Sequence, residues 1–134
     1  MRGFVLDASV SACWIFDDED HPAAARALVL AATDEIRVPS LWWFEIRNLL
    51  IVNERRKRLT AATVDNFLRW MKRLNFSIDR SPEEKDVIQL ARRHGLTIYD
   101  ASYLELALRE AVPLATLDKQ LAAAAQREGV VLIG

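Results

Sequence analysis

The chain has 134 residues, enough for one domain that folds without disulfides or a structural metal. Hydrophobic residues at 51% against 28% charged exclude intrinsic disorder, and one cysteine with two histidines excludes a disulfide framework or a cysteine- or histidine-rich zinc site. A net charge of −1 excludes nucleic-acid binding through bulk positive charge, though not through a local basic patch.

The first apolar run, Gly3 to Leu6, predicts a buried strand that ends at Asp7. Ser9 to Phe16 reads as a helix stopped by the acidic run of residues 17–20. Pro22, preceded by Asp20 and His21, opens a helix through Ala24, Leu28 and Ala31. Ile36 to Val38 is a second short strand, closed by Pro39. Ser40 is placed as the N-cap of a long helix from Leu41 to about Lys57, with Arg55, Arg56, Lys57 and Arg58 complementing its C-terminal dipole. Thr60 caps a helix through Val64, Phe67, Leu68 and Met71. Phe76 and Ile78 give a weak strand signal.

Ser81-Pro82-Glu83-Glu84 is a helix start, and Gly95 is the matching stop. Asp100 is expected to open the next helix, which ends before Pro113. Leu114 to Leu117 is a strand ending at Asp118, Leu121 to Arg127 is helical, and Val130 to Ile133 is a last strand. Strands that are apolar throughout, alternating with helices, predict a parallel sheet covered on both faces. No linker or repeat divides the chain, so residues 1–134 form a single domain. Apolar runs of about six residues are too short to span a bilayer, and Asp7 interrupts any signal-peptide core. The expectation is a soluble intracellular protein.

In open α/β sheets, ligands bind beyond the carboxyl ends of strands. Asp7 and Asp118 stand at two such ends, and Asp100 begins a helix nearby. Each has a plain structural reading, as a helix cap or an Asx-turn. Glu45 is harder to explain so, because it falls in an apolar helical stripe with no Lys or Arg three or four residues away; its plain reading is a boundary residue that reaches water. Several carboxylates in one cleft repel each other, and a divalent cation relieves that repulsion. An all-oxygen donor set suits Mg²⁺ or Mn²⁺ rather than zinc. Such ions activate water for in-line displacement at phosphorus, which points to phosphoester hydrolysis.

Four stretches occur in order: Val5-Leu6-Asp7-Ala8-Ser9, Val38-Pro39-Ser40-Leu41-Trp42 leading to Glu45-Ile46-Arg47-Asn48, Gly95-Leu96-Thr97-Ile98-Tyr99-Asp100-Ala101-Ser102-Tyr103, and Pro113-Leu114-Ala115-Thr116-Leu117-Asp118. Together they resemble PIN-domain ribonucleases of the VapC toxin type, from bacterial or archaeal toxin–antitoxin pairs. The resemblance covers essentially the whole chain. It implies a three-layer α/β/α fold with a short, mostly parallel central sheet, and a cytoplasmic Mg²⁺- or Mn²⁺-dependent endoribonuclease leaving a 5′-phosphate and a 3′-hydroxyl. By motif position, Asp7, Glu45, Asp100 and Asp118 would form the acidic metal site, with Asp7 and Asp100 the most direct ligands. Ser9, Asn48 and Thr116 match polar positions that line the pocket. A separate VapB-like antitoxin that blocks the site, and a homodimer, are the implied partners.

The long helix carries apolar residues on nearly all sides, so Trp43 and Phe44 are candidates for a dimer or antitoxin surface. The basic run at residues 55–58 fits dipole compensation, with RNA-backbone contact as its alternative; Arg69, Lys72, Arg73, Arg92 and Arg93 are similar. Trp14, Trp70, Tyr99 and Tyr103 read as core or interface, His21 and His94 as surface residues, and Cys13 as a small buried residue. Three rival functions are a phospho-receiver module, whose length and α/β order are close, a small-molecule phosphohydrolase using the same metals, and a non-catalytic RNA-binding scaffold. Asp7 lacks the acidic neighbour that a receiver needs.

Overall fold

The computed structural model describes residues 3–16 and 20–134. The elements are β1 (Gly3–Leu6), α1 (Ala8–Cys13), α2 (Pro22–Ala31), β2 (Glu35–Pro39), α3 (Ser40–Arg55), α4 (Ala61–Met71), β3 (Phe76–Asp79), α5 (Glu84–His94), α6 (Ile98–Glu110), β4 (Leu114–Ala115) and α7 (Lys119–Arg127). The four strands form one sheet in the order β3-β2-β1-β4, and every pairing is parallel. Helices pack on both faces, giving the α/β/α layering expected from the sequence.

Position in the sheet explains the strand sequences. β1 lies between β2 and β4 and is buried at all four residues, so its run Gly-Phe-Val-Leu is apolar throughout. A Cβ on Gly3 would crowd the Glu35 carbonyl oxygen, at 3.0 Å. β3 is the outer strand, and none of its residues is fully buried, which accounts for its weak signal. The expected last strand is reduced to one parallel bridge, Leu114 to Leu132, held by Ile133 N–H donating to the Leu114 carbonyl at 3.0 Å.

Several helix ends differ from the sequence reading. α1 stops at Cys13 rather than Phe16, and residues 17–19 of the acidic run lie outside the described residues. Ser40 is the first helical residue of α3, and Pro39 holds the cap position without a side-chain bond. α5 begins at Glu84, after an extended Glu83, so Pro82 lies outside the helix rather than in its first turn. Gly95 closes that helix at φ 65°, a left-handed conformation open to glycine without steric cost. α6 begins at Ile98, not at Asp100. Its cap is Thr97, whose hydroxyl accepts from the Asp100 N–H at 3.1 Å.

This topology positions the site. The chain runs from β1 to β2 and β3 on one side, and then crosses to β4 on the other. The carboxyl ends of β1 and β4 therefore flank the point where the strand order reverses, the usual ligand crevice of such sheets. α6 packs across β1, β2 and β4, so its first turn reaches the same place.

Candidate active site

Asp7 follows β1 directly and is held on both sides. Its N–H donates to the Ala115 carbonyl at 3.0 Å, and its own carbonyl accepts from Val10 N–H at 3.0 Å as α1 starts. Its carboxylate is buried, with Oδ2 accepting from Ser9 Oγ at 2.8 Å and Thr116 Oγ1 at 2.7 Å. Ser9 Oγ accepts Leu117 N–H at 3.1 Å, and Thr116 Oγ1 accepts Asp118 N–H at 3.0 Å. Each hydroxyl thus accepts a bond from a backbone N–H and directs its only proton at Asp7. That arrangement fits an ionised carboxylate.

Asp118 caps α7 by accepting Leu121 N–H at 2.9 Å, so one carboxylate serves both as cap and as pocket wall. Glu45 projects from the middle of α3 and accepts the Tyr103 hydroxyl at 2.5 Å. Tyr103 is fully buried on α6, one turn beyond Asp100. The sequence reading places Tyr103 in the core or at an interface; it is core, and the reading misses its bond to Glu45, for which the three-residue spacing from Asp100 on one helix face was the available signal.

Asp7, Ser9, Glu45, Asn48, Asp100 and Asp118 line one open cavity of about 600 Å³, together with Leu49, Val52, Asn53 and Arg56. The four carboxylates chosen from sequence are therefore brought together, as are Ser9 and Asn48. Thr116 is not a wall residue: it is buried behind Asp7 and supports it.

The electrostatics follow from burial and crowding. Asp7 is held above the ordinary carboxylate range, chiefly by loss of water and then by the Asp118 charge, against the opposing hydroxyl bonds. Glu45 is raised by burial and by Asp7 and Asp100, and Asp100 by burial and by Asp118 and Asp7. Burial and the Glu45 carboxylate raise Tyr103, keeping it a donor. Among the described residues, none of the four carboxylates is ion-paired with Lys, Arg or His.

The donor set is all oxygen and strongly negative, which fits a hard divalent cation. It is an open set rather than a closed cage: among the described residues, no three His, Cys, Asp or Glu side chains stand together as a ready ligand group. Mg²⁺ keeps most of its waters and needs only one or two direct carboxylates, so an open acidic pocket suits it.

Residues 4–127 match the PIN domain family model. The chain belongs to the PIN-domain family. It is 35% identical over 121 residues to Ribonuclease VapC3 of Pyrobaculum aerophilum, covering 88% of this chain and 91% of that protein. A crystal structure of another protein from Pyrobaculum aerophilum shares the fold at a TM-score of 0.74 and 24% identity, over 98% of this chain and 84% of that one. A VapBC2 structure from Rickettsia felis, bound to a DNA fragment from their promoter, matches at a TM-score of 0.64 and 17% identity, over 97% and 96% of the two chains. The chain is thus a homologue of the VapC ribonucleases with their PIN fold, as the motifs suggested.

One further reading is corrected. His94 is not a surface residue: its side chain is 4% exposed, and Nε2 lies 2.6 Å from Glu128 Oε2. Trp14 is partly buried and donates its indole N–H to the Ala24 carbonyl at 3.0 Å. Trp43 and Phe44 are exposed, at 41% and 68%, and Tyr99 is an exposed α6 residue, which leaves the interface half of its core-or-interface reading. Among the described residues, no helix is long and apolar enough to cross a membrane.

Proposed function

We propose that this PIN domain is a cytoplasmic, Mg²⁺- or Mn²⁺-dependent endoribonuclease acting as the toxin of a toxin–antitoxin pair. The observation that carries the reading is the cluster at the strand ends: Asp7, Glu45, Asp100 and Asp118 line one cavity, and among the described residues none of them is ion-paired with Lys, Arg or His. The relative named as a ribonuclease supports RNA as the substrate.

Asp7 and Asp100 would hold the cation, with Glu45 and Asp118 supplying the remaining negative charge. When bound, it supplies polarisation of water and charge compensation at the scissile phosphate. Ser9 and Thr116 hold Asp7 in its acceptor state, and Tyr103 fixes the rotamer of Glu45. Asn48 is exposed at the cavity wall, where its amide can contact RNA. The exposed pair Trp43 and Phe44 on α3 supports a protein partner, either a second copy in a homodimer or a VapB-like antitoxin. The VapBC2 complex supports the antitoxin.

The test is cleavage of total RNA with Mg²⁺ or Mn²⁺, followed by sequencing of the ends. The wild type should cleave, EDTA should abolish cleavage, and Asp7→Asn should lower the rate on the order of 10³-fold while keeping the fold. Cleavage by Asp7→Asn at the parent rate would reject the assignment. Turnover of a phosphomonoester with none of any RNA would favour the small-molecule phosphohydrolase.

A further inference from the structure

One face of α3 leads out of the acidic pocket. Glu45, Asn48, Leu49, Val52 and Arg56 all line the cavity, at the three- and four-residue intervals that stack along one side of a helix. Arg56 is the C-cap of α3, eleven positions after Glu45. At about 1.5 Å per residue, the backbone of Arg56 lies roughly 16 Å along the helix from that of Glu45. Among the described residues lining the cavity, Arg56 is the only cation.

Its neighbours in the basic run have different fates. Arg58 is committed to the fold: its guanidinium sits 4.6 Å from the Phe16 ring centroid and donates to Asn53 Oδ1 at 3.3 Å. Lys57 adopts φ 61°, which turns the chain at the helix end. Arg56 is exposed, and among the described residues it makes no ion pair. Dipole compensation at the helix end accounts for its charge but not for its place on the wall of the acidic cavity.

We infer that the cavity is bipolar and takes a single strand of RNA laid along α3. The scissile phosphate sits at the carboxylate end, and a phosphate a few nucleotides away is gripped by Arg56. The planar guanidinium offers paired donors to phosphate oxygens. The separation matters, because a cation closer to the carboxylates would compete with the divalent ion they are arranged to hold. Arg56 is thus a positioning residue that selects a polyanion over a lone phosphoester. The inference rests on the ribonuclease reading above.

The test uses Asp7→Asn protein, so that RNA survives, and a fluorescein-labelled random-sequence 20-nucleotide RNA. Binding is followed by anisotropy over a range of NaCl concentrations. Adding Arg56→Gln should weaken binding about 3- to 10-fold and reduce the salt slope by about 0.7, the value for one lost phosphate contact on a single strand. Arg92→Gln, at an exposed residue of α5 outside the cavity wall, should change neither. With Asp7 intact, Arg56→Gln should raise KM for RNA and leave kcat unchanged. Binding with an unaltered slope after Arg56→Gln, or an equal loss from Arg92→Gln, would overturn the inference and leave the ribonuclease reading standing. An Asp7→Asn protein that binds no RNA would overturn both.

Discussion

The pocket at the ends of β1 and β4 and the cleft beside α5 and α6 enclose similar volumes, about 600 and 500 Å³, and both are lined by acidic side chains. They differ in what faces those acids. In the cleft, Arg109 donates Nε to Glu105 Oε2 at 2.7 Å and grips Asp79 through both terminal nitrogens, at 3.0 and 2.8 Å. Glu128 accepts from Arg93 at 2.7 Å, and the Arg93 bond, then the His94 bond, holds it below the ordinary carboxylate range. Glu105 is almost wholly buried, which is tolerable because its partner is built in. In the strand-end pocket, hydroxyls and a tyrosine bond the acids, but their charge is left to accumulate. A carboxylate with an arginine on it joins elements together; a carboxylate without one keeps its charge, which the proposed cation would offset.

The sharpest way to break this contrast is to remove the arginine. Arg109→Met should leave buried Glu105 unpaired and cut β3 from α6, destabilising the fold by about 2–3 kcal/mol in urea denaturation. Below its melting point the variant should still cleave RNA at the parent kcat. A loss of kcat with stability unchanged would mean that the cleft takes part in the chemistry.

A smaller effect is expected from Tyr103→Phe. The phenol stabilises the ionised form of Glu45, so its loss raises the proton affinity of Glu45 further. The acid limb of the cleavage pH profile should then move to higher pH, by up to about one unit for one charge-assisted hydrogen bond. A limb that stays in place would remove Glu45 from the working charge set.

Much of this contrast was legible in the sequence, for physical reasons that differ by residue. Asp7 and Asp118 were readable because an apolar run that ends in Asp marks a strand meeting a crevice. Glu45 was readable because a charge in an apolar stripe without a local cation needs an explanation. Asp100 was found as a carboxylate at a helix start shortly after Leu96-Thr97-Ile98, although Thr97 rather than Asp100 caps the helix. Tyr103 was hidden, since a buried aromatic on an apolar helix looks like core until its hydroxyl is seen to reach Glu45, 58 residues away in sequence. The Arg109 pairing was half visible: Glu105 lies at helical spacing, but Asp79 arrives from β3 only through the tertiary fold. Val130 to Ile133 had strand composition but yields a single bridge, beside a β4 that is itself only two residues long.

The central claim is that the strand-end carboxylates are held together for a divalent cation. Their proton affinities are raised on folding, so between the ordinary carboxylate range and the raised values the folded state holds more protons than the unfolded one. Stability contributed by these groups therefore falls as pH rises through that window, and is recovered on acidification. A bound cation should offset this loss. The most direct measurement is the melting temperature of wild type and Asp7→Asn at pH 7.5, with and without 10 mM Mn²⁺. The wild type should gain about 1–2 kcal/mol of stability, as expected for a dissociation constant near 1 mM, and the gain should shrink as the pH is lowered. Asp7→Asn should melt at or above the metal-free wild type and gain little from the ion. An equal gain in both proteins, or none in the wild type, would contradict the claim.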